Sequence, residues 1–287
     1  MIKFENGKFV GYVNGKVVVK STSEYYVKRK VEELTSTPAP VSEFGINQRF
    51  GFLEQMVSMI ADKTMVSCVI TGEGGLGKSY TVIKSLEKAG LSNITDLTSL
   101  AVGTRVNVSK SYRIIKGFST AKGLYRTLFE CNGMTVVFDD CDSILKDDVA
   151  RNLLKGALDS YSKRYISWMA DMRDDDLPKS FEFTGRVIFV SNMPLEKIDQ
   201  AIRTRCMVVD LSMTEGQKVE RMEVIAKSAE FLPDIDNKAK VEALAFLKSH
   251  VGKIPNMSLR SLIQVTKIAN RGGQWQDFAK YVLTQGM

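Results

Sequence analysis

The segment Gly72–Ser79 reads Gly-Glu-Gly-Gly-Leu-Gly-Lys-Ser, matching G-x-x-x-x-G-K-[ST] at every fixed position. Each residue type there has a job it could do on a triphosphate. The glycines let successive backbone N–H groups converge on phosphate oxygens, Lys78 brings a charge to the outer phosphates, and the Ser79 hydroxyl can ligate Mg²⁺. A helix beginning at such a lysine turns its positive end toward the same anion. The candidate nucleotide contacts are Gly72, Glu73, Gly74, Gly75, Leu76, Gly77, Lys78, Ser79 and Tyr80. In isolation the same residues also describe a glycine-rich turn between a strand and a helix.

Two further stretches supply what such a loop needs. Thr135–Asp140, TVVFDD, is an apolar run ending in two carboxylates. Asp139 is placed to hold the metal through its water shell, and Asp140 to polarise an attacking water. Arg186–Asn192, RVIFVSN, is a second apolar run with an amide at its tip. An Asn192 side chain there can accept a hydrogen bond from water and donate one to a γ-phosphate, and ligands of open α/β sheets bind at the carboxyl ends of strands. The plainer readings are a solvated acidic loop and a Ser-Asn-Met-Pro turn.

The elements that must position these groups alternate. Short buried-strand runs (65–71, 112–118, 134–138, 186–190, 206–211) are separated by helical patterns, which predicts βαβ units and a parallel sheet covered on both faces. From about residue 213 only helical periodicity remains. The fold class expected is therefore α/β: a P-loop parallel sheet sandwiched by helices (37–212), followed by a small all-helical lid (213–287). Ahead of it, Asn14-Gly15 between two β-rich runs predicts a hairpin. With a short helix, this forms an N-terminal appendage (1–36), joined through the linker-like TSTPAPVSEFG. The basic Val27–Lys30 cluster makes that appendage a candidate recognition arm as well as a plain edge or oligomer contact.

The chain has 287 residues and a formal net charge of +7. The excess of cations favours polyanionic partners, nucleic acid first. Four scattered cysteines without C-x-x-C spacing and one histidine point away from zinc sites, disulfide frameworks and histidine triads. No apolar run reaches membrane-spanning length, and the chain reads as cytosolic with no membrane partner.

The order P-loop, VVFDD, FVSN, AIRTRC, then a helical tail containing SLRSL resembles the AAA+ ATPases from about Asn47 onward. The resemblance implies ATP and Mg²⁺ as cofactors, a homo-oligomeric ring of six or five subunits, and ATP hydrolysis at subunit interfaces. It gives Asn192 the sensor-1 role. It makes Arg205 a finger reaching a neighbour's γ-phosphate, with Arg203 as competitor, and sets Arg260 of MSLRSL over the phosphates of its own subunit. Ile46, in EFGIN, stands where the family's adenine-contacting linker lies. An arginine supplied in trans is worth roughly three to five orders of magnitude in rate among GTPases. The family pattern ends its second motif in Asp-Glu, whereas this chain has Asp139-Asp140. Asp-Asp is common in the viral superfamily-3 helicases, and Asn152–Trp168 resembles the stretch leading to their DNA-gripping hairpin. The arginine-bearing lid is closer to clamp loaders, so both branches stay open.

Two segments could face a central pore: IKGFST, with Lys116 and Phe118, and Ser160–Ser180, with Lys163, Arg164, Trp168 and Lys179. Cations interleaved with aromatics suit a nucleic-acid backbone and its bases; core packing and a solvated turn are the plainer reading. Three functions follow: a DNA-processing motor (helicase, helicase loader or clamp-loader-like factor, of phage or plasmid type), a protein-remodelling ATPase, and a slowly hydrolysing assembly switch.

Overall fold

The computed structural model describes residues 2–13, 16–24, 26–28, 31, 42–95, 106–117, 119–169, 177–254 and 256–284. The chain divides into two compact units, Met1–Phe44 and Gly45–Met287. The division thus falls at Phe44/Gly45 rather than at residue 36, and the helical tail shares a unit with the α/β core.

The first unit carries an antiparallel sheet in the order β1 (Ile2–Glu5), β2 (Lys8–Val13), β3 (Lys16–Ser21). The β2–β3 pairing agrees with the hairpin expected around Asn14-Gly15, a turn that lies outside the described residues; β1 was not anticipated. Residues 24, 26–28 and 31 are helical, and Val27 and Val31 fill the space that Gly11 leaves open. Most of the linker expected at 35–45 lies outside the described residues.

The second unit is built on a six-stranded parallel sheet in the order β11-β4-β10-β7-β6-β5. These strands are β4 (Ser67–Thr71), β5 (Ser92–Asn93), β6 (Ser111–Lys116), β7 (Thr135–Asp139), β10 (Arg186–Val190) and β11 (Met207–Asp210). The central strands read as continuous apolar runs because both of their faces are buried. Alternation divides them. Val69, Val136, Phe138, Val187 and Phe189 enter one core with Leu124, Tyr125, Ile144 and Leu154. Cys68, Ile70, Val137, Ile188 and Val190 enter the other with Phe50, Leu53, Val82 and Leu86. The period of two thus assigns successive residues to opposite faces.

Helix α1 (Ile46–Ala61) and α2 (Lys78–Lys88) cover the second face. Helices α3 (Ala121–Glu130), α4 (Asp142–Lys146) and α5 (Asp148–Ala157) cover the first. Thr120 caps α3 by accepting from the Gly123 N–H, and Asp147 caps α5 by accepting from the Ala150 N–H, each meeting one orphan donor of the first turn. Between α5 and β10 lies a two-stranded hairpin, β8 (Tyr165–Ser167) with β9 (Ser180–Glu182). This is where the sequence resembles the helicase stretch that leads to a hairpin.

After the short α6 (Gln200–Arg203) and β11, four helices follow: α7 (Glu215–Ala226), α8 (Asn237–Ser249), α9 (Leu259–Ala269) and α10 (Trp275–Thr284). They enclose their own core around Met222, Leu247, Leu262 and Val265. That cluster is distinct from the two that flank the sheet, and the tail answers to the helical lid expected from residue 213.

Candidate nucleotide site

The loop that follows β4 can turn only because of glycine. Gly72 has φ +131, and a Cβ there would lie 2.9 Å from the Leu211 carbonyl carbon at the end of β11. Gly77, with φ +88, ends the loop and stands at the N-cap of α2 without a side-chain cap. The first-turn N–H groups of α2 therefore have no intrahelical acceptor and point out of the helix end, as an anion site requires.

Lys78 is buried, and its Nζ donates to the carbonyl oxygens of Gly72 and Glu73, both at 2.7 Å, and to Asn192 Oδ1 at 2.9 Å. Burial pushes its pKa down to about 8, opposed by Asp140 and Asp139. Asn192 Nδ2 in turn donates to Asp140 Oδ1 at 2.5 Å. A continuous chain thus runs from the loop lysine through the amide to the second acid. Asp140 itself has φ +57, a left-handed backbone that a non-glycine residue holds only against some cost; its N–H is anchored on the Val190 carbonyl of β10 at 3.1 Å. Beneath it, Ser191 Oγ donates to Asp142 Oδ1 at 2.6 Å and fixes the tip of β10.

The metal-binding candidates also meet. Ser79 Oγ donates to Asp139 Oδ1 at 2.6 Å. A hydroxyl and a carboxylate side by side at the foot of a phosphate loop are hard oxygen donors, and the pair suits a Mg²⁺ that keeps waters and phosphate oxygens as its other ligands. The donor set therefore fits the metal that the resemblance implies.

A cavity of about 1110 Å³ opens above these groups. It is lined by Gly74–Ser79, Asp140, Asn192, Leu259 and Arg260, by Gly51 and Gln55 of α1, Tyr80 and Lys84 of α2, and by Val224, Ile225 and Phe231 of the lid. The lid closes directly on the loop: the Leu259 N–H donates to the Gly75 carbonyl at 3.0 Å. The buried Lys218 of α7 bridges Glu73 at 2.9 Å and Glu215 at 2.8 Å. Burial alone would lower the Lys218 pKa; the two carboxylates outweigh it and leave it raised. Also along the cavity lining, Tyr80 OH donates to Glu230 Oε2 at 2.9 Å. Sequence reasoning missed Lys218, Leu259 and the Tyr80–Glu230 contact, because each joins segments more than 140 residues apart. A trace existed only for Lys218, in its i,i+3 spacing from Glu215.

Several sequence expectations land elsewhere. Ile46 is wholly buried in the core of α1 and does not line the cavity. Arg164 is buried too: its guanidinium donates to the carbonyls of Ala157 at 2.6 Å and Gly185 at 2.8 Å and lies over the Phe183 ring. It staples the end of α5 to the start of β10, and burial lowers its pKa to about 10. Lys116 reaches the Asp139 carboxylate, with Nζ 3.1 Å from Oδ2. Lys163 and Lys179 are exposed near the β8–β9 hairpin, Trp168 packs against the core, and Phe118 lies outside the described residues. Arg205 lies outside the cavity lining, its guanidinium donating to the Ala201 carbonyl at 2.9 Å and lying 3.7 Å from Asp159. Arg203 is half-buried.

No protein-family model matches the chain. It is 26% identical over 298 residues to an Enterobacteria phage T4 protein described as an uncharacterized 36.7 kDa protein in the nrdC-mobD intergenic region, covering 96% of this chain and 86% of that one. Similar solved structures include NtrX from Brucella abortus in complex with ATP, with TM-score 0.47, 14% identity and coverage of 85% of this chain and 52% of that chain. Another is the FIGL-1 AAA domain in complex with ADP, with TM-score 0.43, 12% identity and coverage of 88% and 86%. The chain spans about half the length of the NtrX chain. The order of the parallel sheet, the loop after β4, the asparagine just past the strand between β4 and β7, and the helical tail that touches the loop agree with the P-loop α/β fold and helical lid that the resemblance implies.

Proposed function

We propose that the protein is a Mg²⁺-dependent ATPase that works as a homo-oligomeric ring and drives DNA processing, as a helicase, helicase loader or clamp-loader-like factor. The hydrogen-bonded chain Lys78–Asn192–Asp140, beside the Ser79–Asp139 pair, carries the ATPase reading. It gathers the phosphate-binding cation, the orienting amide and the water-polarising carboxylate within one contact network at the strand ends.

Phosphoryl transfer asks the protein mainly to position groups and neutralise charge. Lys78 would exchange its loop carbonyls for phosphate oxygens. Asp140 would accept a proton from the attacking water at Oδ1, with Asn192 orienting that water and the γ-phosphate. Ser79 and Asp139 would hold Mg²⁺, which supplies charge neutralisation across the phosphates. Arg260, at the start of α9, would reach the phosphates of its own chain. Arg205 does not line this chain's cavity, which suits a finger serving the site of a second copy.

The DNA assignment is supported by the net positive charge and the exposed Lys163 and Lys179; the phage relative supports only a phage type. The deciding measurement is the rate of phosphate release with single-stranded DNA, duplex DNA or an unfolded polypeptide added. DNA stimulation that falls steeply with salt supports the proposal. Stimulation by polypeptide alone would turn it into a protein-remodelling ATPase, and indifference to all three into an assembly switch.

A further inference from the structure

The Asp139 side chain is only 5% exposed, yet both of its oxygens are engaged. Oδ1 accepts from Ser79 Oγ, and Oδ2 lies 3.1 Å from Lys116 Nζ, whose own side chain is 65% exposed. The pairing is dictated by register, because Lys116 and Asp139 sit opposite one another at the carboxyl ends of β6 and β7. A carboxylate taken out of water requires a counter-charge. Lys78 attracts it only at a distance, since the three donor contacts of its Nζ go to Gly72, Glu73 and Asn192. The lysine on the neighbouring strand supplies the counter-charge in contact.

We infer that Lys116 is a place-holding cation for the metal site: it neutralises Asp139 and must be expelled when a divalent ion takes that carboxylate. The inference rests on the proposed Mg²⁺ role of Ser79 and Asp139. Two properties suit Lys116 to this task. The ammonium is a point charge on a flexible stem, and the mostly exposed side chain has water to swing into, so the pair can be broken at small cost. Expulsion also moves one positive charge from the buried carboxylate to the outer end of β6, where residues 117–120 begin. Loading of the metal is then reported, as charge, at the edge where a polyanion was expected to run.

The test is a Mn²⁺ titration of the full chain with a slowly hydrolysed ATP analogue, reading free Mn²⁺ by electron paramagnetic resonance. Nucleotide affinity in EDTA is measured alongside, on wild type, Lys116→Met and Lys116→Arg. With its Lys116 end open to solvent, the pair is worth about as much as a surface pair, about 0.2–1 kcal/mol, so Lys116→Met should bind Mn²⁺ about 1.4- to fivefold more tightly, and the gap should narrow as salt is raised. Lys116→Arg keeps the charge and should stay near wild type. Equal Mn²⁺ affinity in wild type and Lys116→Met, with nucleotide still bound, overturns the inference, as does weaker Mn²⁺ binding by Lys116→Met. Failure of every variant to bind nucleotide in EDTA instead removes the proposed site itself, and this inference with it.

Discussion

Asn192 donates from Nδ2 to Asp140 while its Oδ1 accepts from Lys78, so one amide joins the loop lysine to the second carboxylate of the candidate site. An alanine at 192 would free both partners without moving the sheet. Asn192→Ala should therefore retain nucleotide within a few-fold while slowing hydrolysis by about 10²-fold or more, the range for losing one preorganised donor. Binding of a fluorescent nucleotide and single-turnover phosphate release separate the two effects.

Asp140→Asn tests the proton acceptor. Nucleotide should stay bound and uncleaved, with a rate loss of about 10²–10⁴-fold, the usual contribution of a positioned general base. A normal turnover would move that role to another carboxylate.

The lowered pKa of Lys78, about 8 against an ordinary 10.5, carries a sign. Phosphates favour the charged ammonium, so above pH 8 binding must take up a proton, and affinity should fall as pH rises past 8, approaching about tenfold per unit. Calorimetry between pH 7 and 9.5 in buffers of different ionisation enthalpy would reveal that proton. For folding, the unfolded chain holds more protons than the folded one between pH 8 and 10.5, so this group's contribution to stability rises with pH across that window. Lys78→Met should bind nucleotide poorly and lose the pH dependence.

Arg205→Ala should leave nucleotide affinity unchanged and reduce turnover by roughly 10³–10⁵-fold if the arginine acts across a subunit boundary. Mixing it with Lys78→Met should return part of the activity, because some interfaces then pair an intact loop with an intact arginine. Absence of any recovery in a mixed assembly of confirmed composition would sink the shared-site reading.

Arg164→Leu checks that this arginine is structural. Two buried carbonyls, those of Ala157 and Gly185, would lose their donors, and hydrogen bonds to a charged group are worth about 1.5–3 kcal/mol each. Chemical denaturation should show a loss of roughly 3 kcal/mol, while DNA affinity per folded molecule stays as in wild type.

Most of the scaffold was legible because its signals are local. Arg186–Val190 reads as a strand with the bounds it has, the helix expected to begin at Lys78 does so, and the stretch from about residue 213 expected to be helical carries four helices. What was not legible depends on partners far along the chain. Arg164 looks like any surface cation until Gly185 and Phe183 close over it. Lys116 reads from sequence as the end of a strand and part of a pore-facing segment, and its contact with Asp139 stays hidden because the pairing of β6 with β7 cannot be read from either strand alone. Ile46 follows a linker-like stretch yet heads a buried helix. In each case one-dimensional context assigned the residue type correctly and its neighbours wrongly.

The placement of β10 between β4 and β7 sets a ruler across the site. Hydrogen-bonded strands stand about 4.8 Å apart, so the strand leading into the lysine loop and the one ending in the acids are two steps, about 10 Å, from each other. A single asparagine at the middle step spans that gap with one arm to each side. A substitution that altered the pitch of the sheet would pull the Lys78–Asn192–Asp140 chain apart without touching any of its three members.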